Sequence, residues 1–178
     1  MVAYGDMERE NNKQRVRERM KARVSEGYWV IGSTPLGYKE TAIGGVKEPS
    51  YPAANIVKRI LEGYAVGSIS TYEEIARIVN AEALIDHKRR RICFDGDKAK
   101  ALLKRVWFYA GFVECPSWGI SRINGKHRSI VSVETLEQVE ARMSGKPVPR
   151  YRKDRNVHFP LRGHLVCEVC QGRLSGGR

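Results

Sequence analysis

YPAANIVKRILEGYAVGSISTYEEIARIVN, residues 51–80, holds the pattern of two short amphipathic helices around one tight turn. Pro52 suits a first helical turn, where the amide hydrogen it lacks would have no partner. Ala53, Ile56, Val57, Ile60, Leu61 and Tyr64 follow at i, i+3, i+4, i+7, i+8 and i+11, one continuous apolar face that Gly67 stops. After the turn Gly67 to Ser70, Thr71 and Glu74 stand as a T-x-x-E capping box, and Tyr72, Ile75, Ala76 and Val79 share one side as far as Asn80. Two such faces must be buried against something, which predicts a helical core with a helix-turn-helix-like arrangement.

Toward the C-terminus comes a polar loop with Lys88, Arg89, Arg90 and Arg91, then DGDKAKALLKRVW, which predicts a third helix over 97–107. Ala99, Leu102, Leu103 and Val106 fall on its inner side. Asp97, Ala101 and Lys104 lie opposite, flanked by Lys98, Lys100 and Arg105. A helix entering a major groove needs this layout: an apolar side for the core, cations for phosphates, and a short residue where the backbone approaches base edges. A solvated basic face has the same layout, so the helix alone leaves both readings open. WFYAGFVEC and WGISR carry the aromatic and β-branched residues of short strands, broken at Pro116 and at Asn124-Gly125. Ser132 then caps a helix with Val133, Leu136, Val139 and Met143 apolar, ended by Gly145 and Pro147. The fold class is α+β, mostly helical, with a small sheet.

Toward the N-terminus, residues 6–26 are dense in Glu, Arg and Lys. Val16, Met20 and Val24 line up at i, i+4 and i+8, a stripe too thin to hold a helix in a core. Two readings stand: a solvated helix with its own charge pairs, or a lever lying on DNA or on a second subunit. GYWVIGSTPLGYKE, residues 27–40, joins it to the core with three glycines, a proline and three aromatics. It is either a packed loop whose Tyr28, Trp29 and Tyr38 cover the helices, or a chain lying in a groove, and both hold if the aromatics face inward and the backbone outward.

The 178 residues suffice for one ordinary domain and an appendage, or for two small domains. Thirty-two Lys and Arg against 20 acidic residues leave a formal charge of +12, which favours a polyanionic partner, nucleic acid ahead of an anionic membrane surface. No stretch approaches the roughly 18 apolar residues of a membrane span, and MVAYGDMERE lacks the apolar run of a secretory signal, so a cytoplasmic location is expected. No nucleophile, base and orienting group stand at a recognised spacing, so no catalytic residue is expected. Residues 145–158, GKPVPRYRKDRNVH, predict a linker over a charged surface, with Arg150 and Arg152 as phosphate contacts. Beyond it, Cys167 and Cys170 have the C-x-x-C spacing that holds one side of a tetrahedral zinc, half of a complete site. His158 and His164 stand near, but a nearby His is more often a bystander, and a redox pair lacks the expected βαβ surroundings. Cys93 and Cys115 occur singly.

GYWVIGSTPLGYKE, YPAANIVKRILEGYAVGSISTYEEIARIVN, LLKRVWFYAGFVE, HRSIVSVETLEQVEARM and FPLRGHLVCEVCQGRLSGG, in that order, resemble the recombinase domain and the start of the zinc ribbon of large serine recombinases. These are the site-specific integrases and transposases of phages and mobile elements. The resemblance runs from about residue 7 to the end, and its specificity lies in the preserved order of five motifs. It implies that 1–26 is the end of the long helix leaving a catalytic domain and that 27–40 is a linker along the minor groove. The DNA-binding domain would then span 41–144, a second linker 145–158, and the start of a truncated zinc ribbon 159–178. It implies that Gly32, Gly37 and Lys39 meet phosphates or base edges, that Arg89, Arg90 and Arg91 grip phosphates, and that Lys98, Lys100, Ala101, Lys104 and Arg105 face DNA. The implied partner is the duplex attachment site, bound by a parent protein that works as a dimer or tetramer, with zinc at Cys167 and Cys170 as the implied cofactor. Nothing here corresponds to the family's catalytic domain and its serine, and Phe94 stands where the family tends to have tryptophan. The alternative class is an RNA-binding or protein-interaction module.

Overall fold

In the computed structural model, which describes residues 2–41, 45–85 and 90–145, the helices form close to where apolar spacing predicts them. Helix α1 is Val2–Ser25; strands β1 (Tyr38–Glu40) and β2 (Lys47–Pro49) precede α2 (Ala53–Val66) and α3 (Tyr72–Ala81). Helix α4 (Gly96–Lys104) and the single turn α5 (Val106–Tyr109) lead into β3 (Phe112–Cys115), a 3-10 turn at Pro116–Trp118, β4 (Ile120–Asn124) and α6 (Val133–Met143). The strands make two separate antiparallel pairs, β1 with β2 and β3 with β4. Helix α3 packs on α4, α2 on α6, and α1 touches β3 and β4.

Helix α2 buries Ile56, Val57, Ile60, Leu61 and Tyr64, each large side chain giving about 1.5–3 kcal/mol on leaving water. Gly67, at φ +84, ends it. The capping box forms with one adjustment: Thr71 Oγ1 accepts from the Glu74 amide, while the Glu74 carboxylate accepts from the amide of Ser70, one residue earlier than the usual partner. Of the α1 stripe only Val24 is fully buried; Met20 is half-buried, Val16 remains 55% exposed, and both line a cleft that Trp118 closes on the other side.

Three expectations need correction, and one strand pair was not foreseen. WFYAGFVEC is not one strand: Val106 to Tyr109 form a helical turn, and pairing begins at Phe112. All four side chains of that turn are buried, so the period-2 signature that marks a half-buried strand is absent there. The predicted helix over 97–107 breaks at Arg105 (φ −98, ψ 18), where the chain turns Val106 and its neighbours into the core. Val133 is 48% exposed, and α6 instead buries Thr135 beside Leu136 and Val139. The strand pair β1–β2 was not predicted at all; in it Glu40 stands opposite Lys47, and the buried Lys47 ammonium donates to the Glu40 carboxylate.

The centre is aromatic. Trp29, Tyr38, Trp107, Phe108 and Tyr109 are buried around the imidazole of His127, which stacks on Phe108 with ring centroids 3.9 Å apart. His127 Nε2–H donates to the Phe108 carbonyl at 2.6 Å, which leaves Nδ1 as a buried acceptor without a partner. Burial holds the His127 pKa below its usual value, against the opposing effect of that hydrogen bond. Above about pH 6.5 the ring is neutral in both folded and unfolded chains; below it the unfolded chain takes up a proton that the folded one resists. Stability is therefore expected to fall as pH drops from about 6.5 toward 5, by up to about 1.4 kcal/mol per pH unit. Thermal unfolding across that range checks this: His127→Phe, unable to protonate, should start less stable through the orphaned Phe108 carbonyl but lose less on acidification.

Candidate nucleic-acid interface

The outward face of α4 follows from its caps and its buried side. Asp95 accepts from the Lys98 amide at 2.8 Å, and this hydrogen bond, more than the neighbouring Lys98 charge, holds its carboxyl below the usual range. Ala99, Leu102 and Leu103 are buried, which turns Asp97, Lys98, Lys100, Ala101 and Lys104 outward, with exposed Arg105 just past the helix end. The six expected positions thus share one exposed surface. They are not equivalent. The Lys98 ammonium is folded back onto the Cys93 carbonyl at 2.7 Å, whereas Lys100 and Lys104 hold no ion pair with any described residue.

The loop before α4 is held by Asn80, whose role the sequence did not disclose. Its side-chain amide donates to the Phe94 carbonyl at 2.9 Å and its oxygen accepts from the Phe94 amide at 2.8 Å, copying a strand pair with one side chain. The Asn80 backbone carbonyl also accepts from the Arg91 guanidinium at 3.0 Å, and Arg91 bridges Ile85 as an isolated antiparallel pair. Arg90, Arg91 and Lys98 line a shallow cleft of about 380 Å³ with Ile92, Cys93 and Phe94, beside the start of α4. An asparagine at the end of a helix looks like a simple terminator; its partner is 14 residues away and no local pattern announces it.

Residues 27–40 run as a strap over the aromatic core. Trp29 and Tyr38 anchor it and face inward, the Tyr38 hydroxyl donating to the Arg128 carbonyl at 2.7 Å, whereas Tyr28 is only half-buried, with the exposed cations of Arg23 and Lys126 against its ring. Burial pushes that hydroxyl well above the usual tyrosine range. Gly32 and Lys39 are exposed. Gly37 is not: it is buried at φ +89, a Cβ there would come within 3.3 Å of both Ala54 and Val57, and its carbonyl accepts from the Ser50 amide. It packs the strap on α2, unlike the exposed Gly32 and Lys39. Arg89, Arg150, Arg152, Cys167 and Cys170, and with them the linker and the expected zinc ribbon, lie outside the described residues. Among the described residues no group of three or more side chains stands ready to hold a metal, and no helix is long and apolar enough to cross a membrane.

No family model and no curated protein matches the sequence. Several solved structures match the fold, two of which bear on the site. One is the crystal structure of an LSR–DNA complex, with a TM-score of 0.55 and 16% identity over 88% of this chain and 47% of that one. The other, from work on the sequence requirements of the Listeria innocua prophage attP site, has a TM-score of 0.56 and 16% identity over 91% of this chain and 64% of that one. The chain therefore spans about half of the first solved chain and less than two thirds of the second. At this identity the likeness speaks for the fold, and the fold is the one found in a large serine recombinase (LSR) bound to DNA.

Proposed function

We propose that this chain is a DNA-recognition unit of a large serine recombinase, which binds duplex attachment-site DNA in a sequence-specific way and does not itself cut it. The observation that carries the proposal is the α4 face: Ala101 between Lys100, Lys104 and Arg105, exposed, with the opposite side buried. The net charge of +12 and the fold shared with a chain solved on DNA support it. In this reading α2, α3 and α4 supply the helix-turn-helix-like scaffold, Arg90 and Arg91 hold phosphates beside the groove, and Lys39 and Gly32 follow the backbone. A parent protein that assembles as a dimer or tetramer in the cytoplasm, and zinc held through Cys167 and Cys170, belong to the same proposal.

Selection of bound duplexes from a random-sequence pool at physiological salt tests it. A recurring half-site is the expected outcome; loss of all binding as salt rises, with no enrichment, defeats sequence recognition. Competition by structured RNA that displaces the duplex completely favours the RNA-binding alternative. On the selected site, Lys100→Ala with Lys104→Ala is expected to lower the slope of log K against log salt by about 1.8 and to weaken binding roughly 30-fold at about 0.15 M salt. Anisotropy titrations over a salt series measure both, and an unchanged slope removes α4 from the interface.

A further inference from the structure

One group on the α4 face runs against the charge around it. Ala99, Leu102 and Leu103 are buried, and the row directly opposite them is Asp97, Ala101 and Lys104, at i, i+4 and i+7. An exposed carboxylate therefore shares the outermost row with Lys104, between the flanking Lys98 and Lys100. It is not neutralised by a neighbour. Asp95, not Asp97, caps the helix by accepting from the Lys98 amide, and the Asp97 carboxylate makes no ion pair or hydrogen bond with any described residue, although Lys100 stands at i+3.

Facing a phosphate, that carboxylate is repelled; facing a base edge, it discriminates. In the major groove only the amino groups of cytosine and adenine donate, whereas guanine and thymine present acceptors, which repel a group that is itself acceptor-only. Adenine sets the N7 lone pair beside its amino group. Cytosine alone offers a donor with no acceptor on its own major-groove edge. We infer that Asp97 is a base-reading residue that selects cytosine in the major groove and, by repelling phosphate, weakens the grip of the chain on other duplexes. The inference rests on the DNA-binding reading above and names the base that this helix position takes. At about 1.5 Å of rise per residue, Ala101 lies about 6 Å further along α4, so the two residues address different base pairs.

The test is selection of half-sites by the full chain and by three variants from one random-sequence duplex pool, followed by anisotropy titrations on the enriched duplexes. The unsubstituted chain is expected to enrich cytosine at one position of its half-site. Asp97→Asn, whose amide pairs with adenine N6 and N7, should move that position to adenine, cut affinity for the original duplex about tenfold and tighten binding to a scrambled duplex roughly two- to fivefold. Asp97→Ala should lose the preference at that position and keep the rest of the half-site. Glu73→Gln controls for charge alone: its exposed carboxylate lies beside Gly96 at the same helix end but on α3, and every preferred base should stay unchanged. An unchanged half-site in both Asp97 variants overturns the inference and leaves Asp97 as a helix-end charge whose loss alters thermal stability alone. A changed base in Glu73→Gln overturns it too. If the unsubstituted chain enriches no half-site, the DNA-binding reading itself fails, a result distinct from an enriched half-site that Asp97 does not alter.

Discussion

Phe108→Ala is expected to remove about 3 to 5 kcal/mol of stability, a large share of what a domain of this size possesses. Phe108 has no exposed surface, and its ring meets Trp29 and Tyr38 at 5.1 Å, Tyr109 at 6.0 Å and Trp107 at 6.2 Å between centroids, besides the stacked His127. These partners come from the strap, from α5 and from the loop after β4, so one truncation opens a cavity that segments distant in sequence all line. The tilted and edge-on contacts add to the area buried, since each aromatic pair contributes about 0.5–1.5 kcal/mol beyond it. Phe108→Leu keeps most of the volume and should lose only the ring contacts, placing it between the two. Denaturant unfolding followed by near-ultraviolet circular dichroism measures the series. A loss below about 1 kcal/mol for the alanine variant is incompatible with Phe108 as the centre of this core.

Gly27→Ala is expected to cost about 3 kcal/mol and to redirect α1. Gly27 occupies the left-handed region, where an L side chain adds about 1–2 kcal/mol, and a Cβ there would stand 2.5 Å from the carbonyl oxygen of Asn124. That oxygen is backbone, so relief requires α1 or the end of β4 to move. The glycine also closes α1 as a Schellman motif, its amide donating to the Val24 carbonyl at 2.9 Å and that of Tyr28 to Arg23. Gly32→Ala is the matched control: its φ is +69 but nothing lies within 4 Å of the added Cβ, so only the backbone cost of about 1–2 kcal/mol applies. Chemical denaturation gives the two costs, and amide exchange at residues 124–127 reports whether the joint itself has loosened. Equal costs for the two variants mean that the Asn124 contact constrains nothing.

Both residues show where sequence reasoning ended. Gly27 was visible as one glycine among three in an aromatic-rich segment, but its service as the stop of α1 depends on Asn124 and Lys126, about 100 positions along the chain. Phe108 carried the marks of a strand, and only the burial of four consecutive side chains shows why a helical turn forms there instead. The strand pair β1–β2 escaped notice because three residues a side are too few to display alternation. Lys47 and His127 are polar residue types that burial normally avoids, and each becomes tolerable through a bond the tertiary structure supplies, to Glu40 and to the Phe108 carbonyl. In the candidate interface the exposed set on α4 was legible, since a 3.6-residue period defines the outer face once the inner one is known. That Lys98 is turned back while Lys100 and Lys104 have no ion pair among the described residues was not, because it depends on where the Cys93 carbonyl lies.

Read locally, the sequence is enough for the existence of α2, α3, α4 and α6, the buried faces of α2 and α3, the exposed basic side of α4 and the charge that favours a polyanion, because periodicity, caps and composition act over a few residues at a time. What needs the tertiary structure is that Gly37 packs against Ala54 and Val57, that Asn80 clamps the loop before α4, and that Arg23 and Lys126 both reach the ring of Tyr28. Each of those depends on groups brought together from separated parts of the chain, and their proximity follows from burying the aromatic core as a whole rather than from any local pattern.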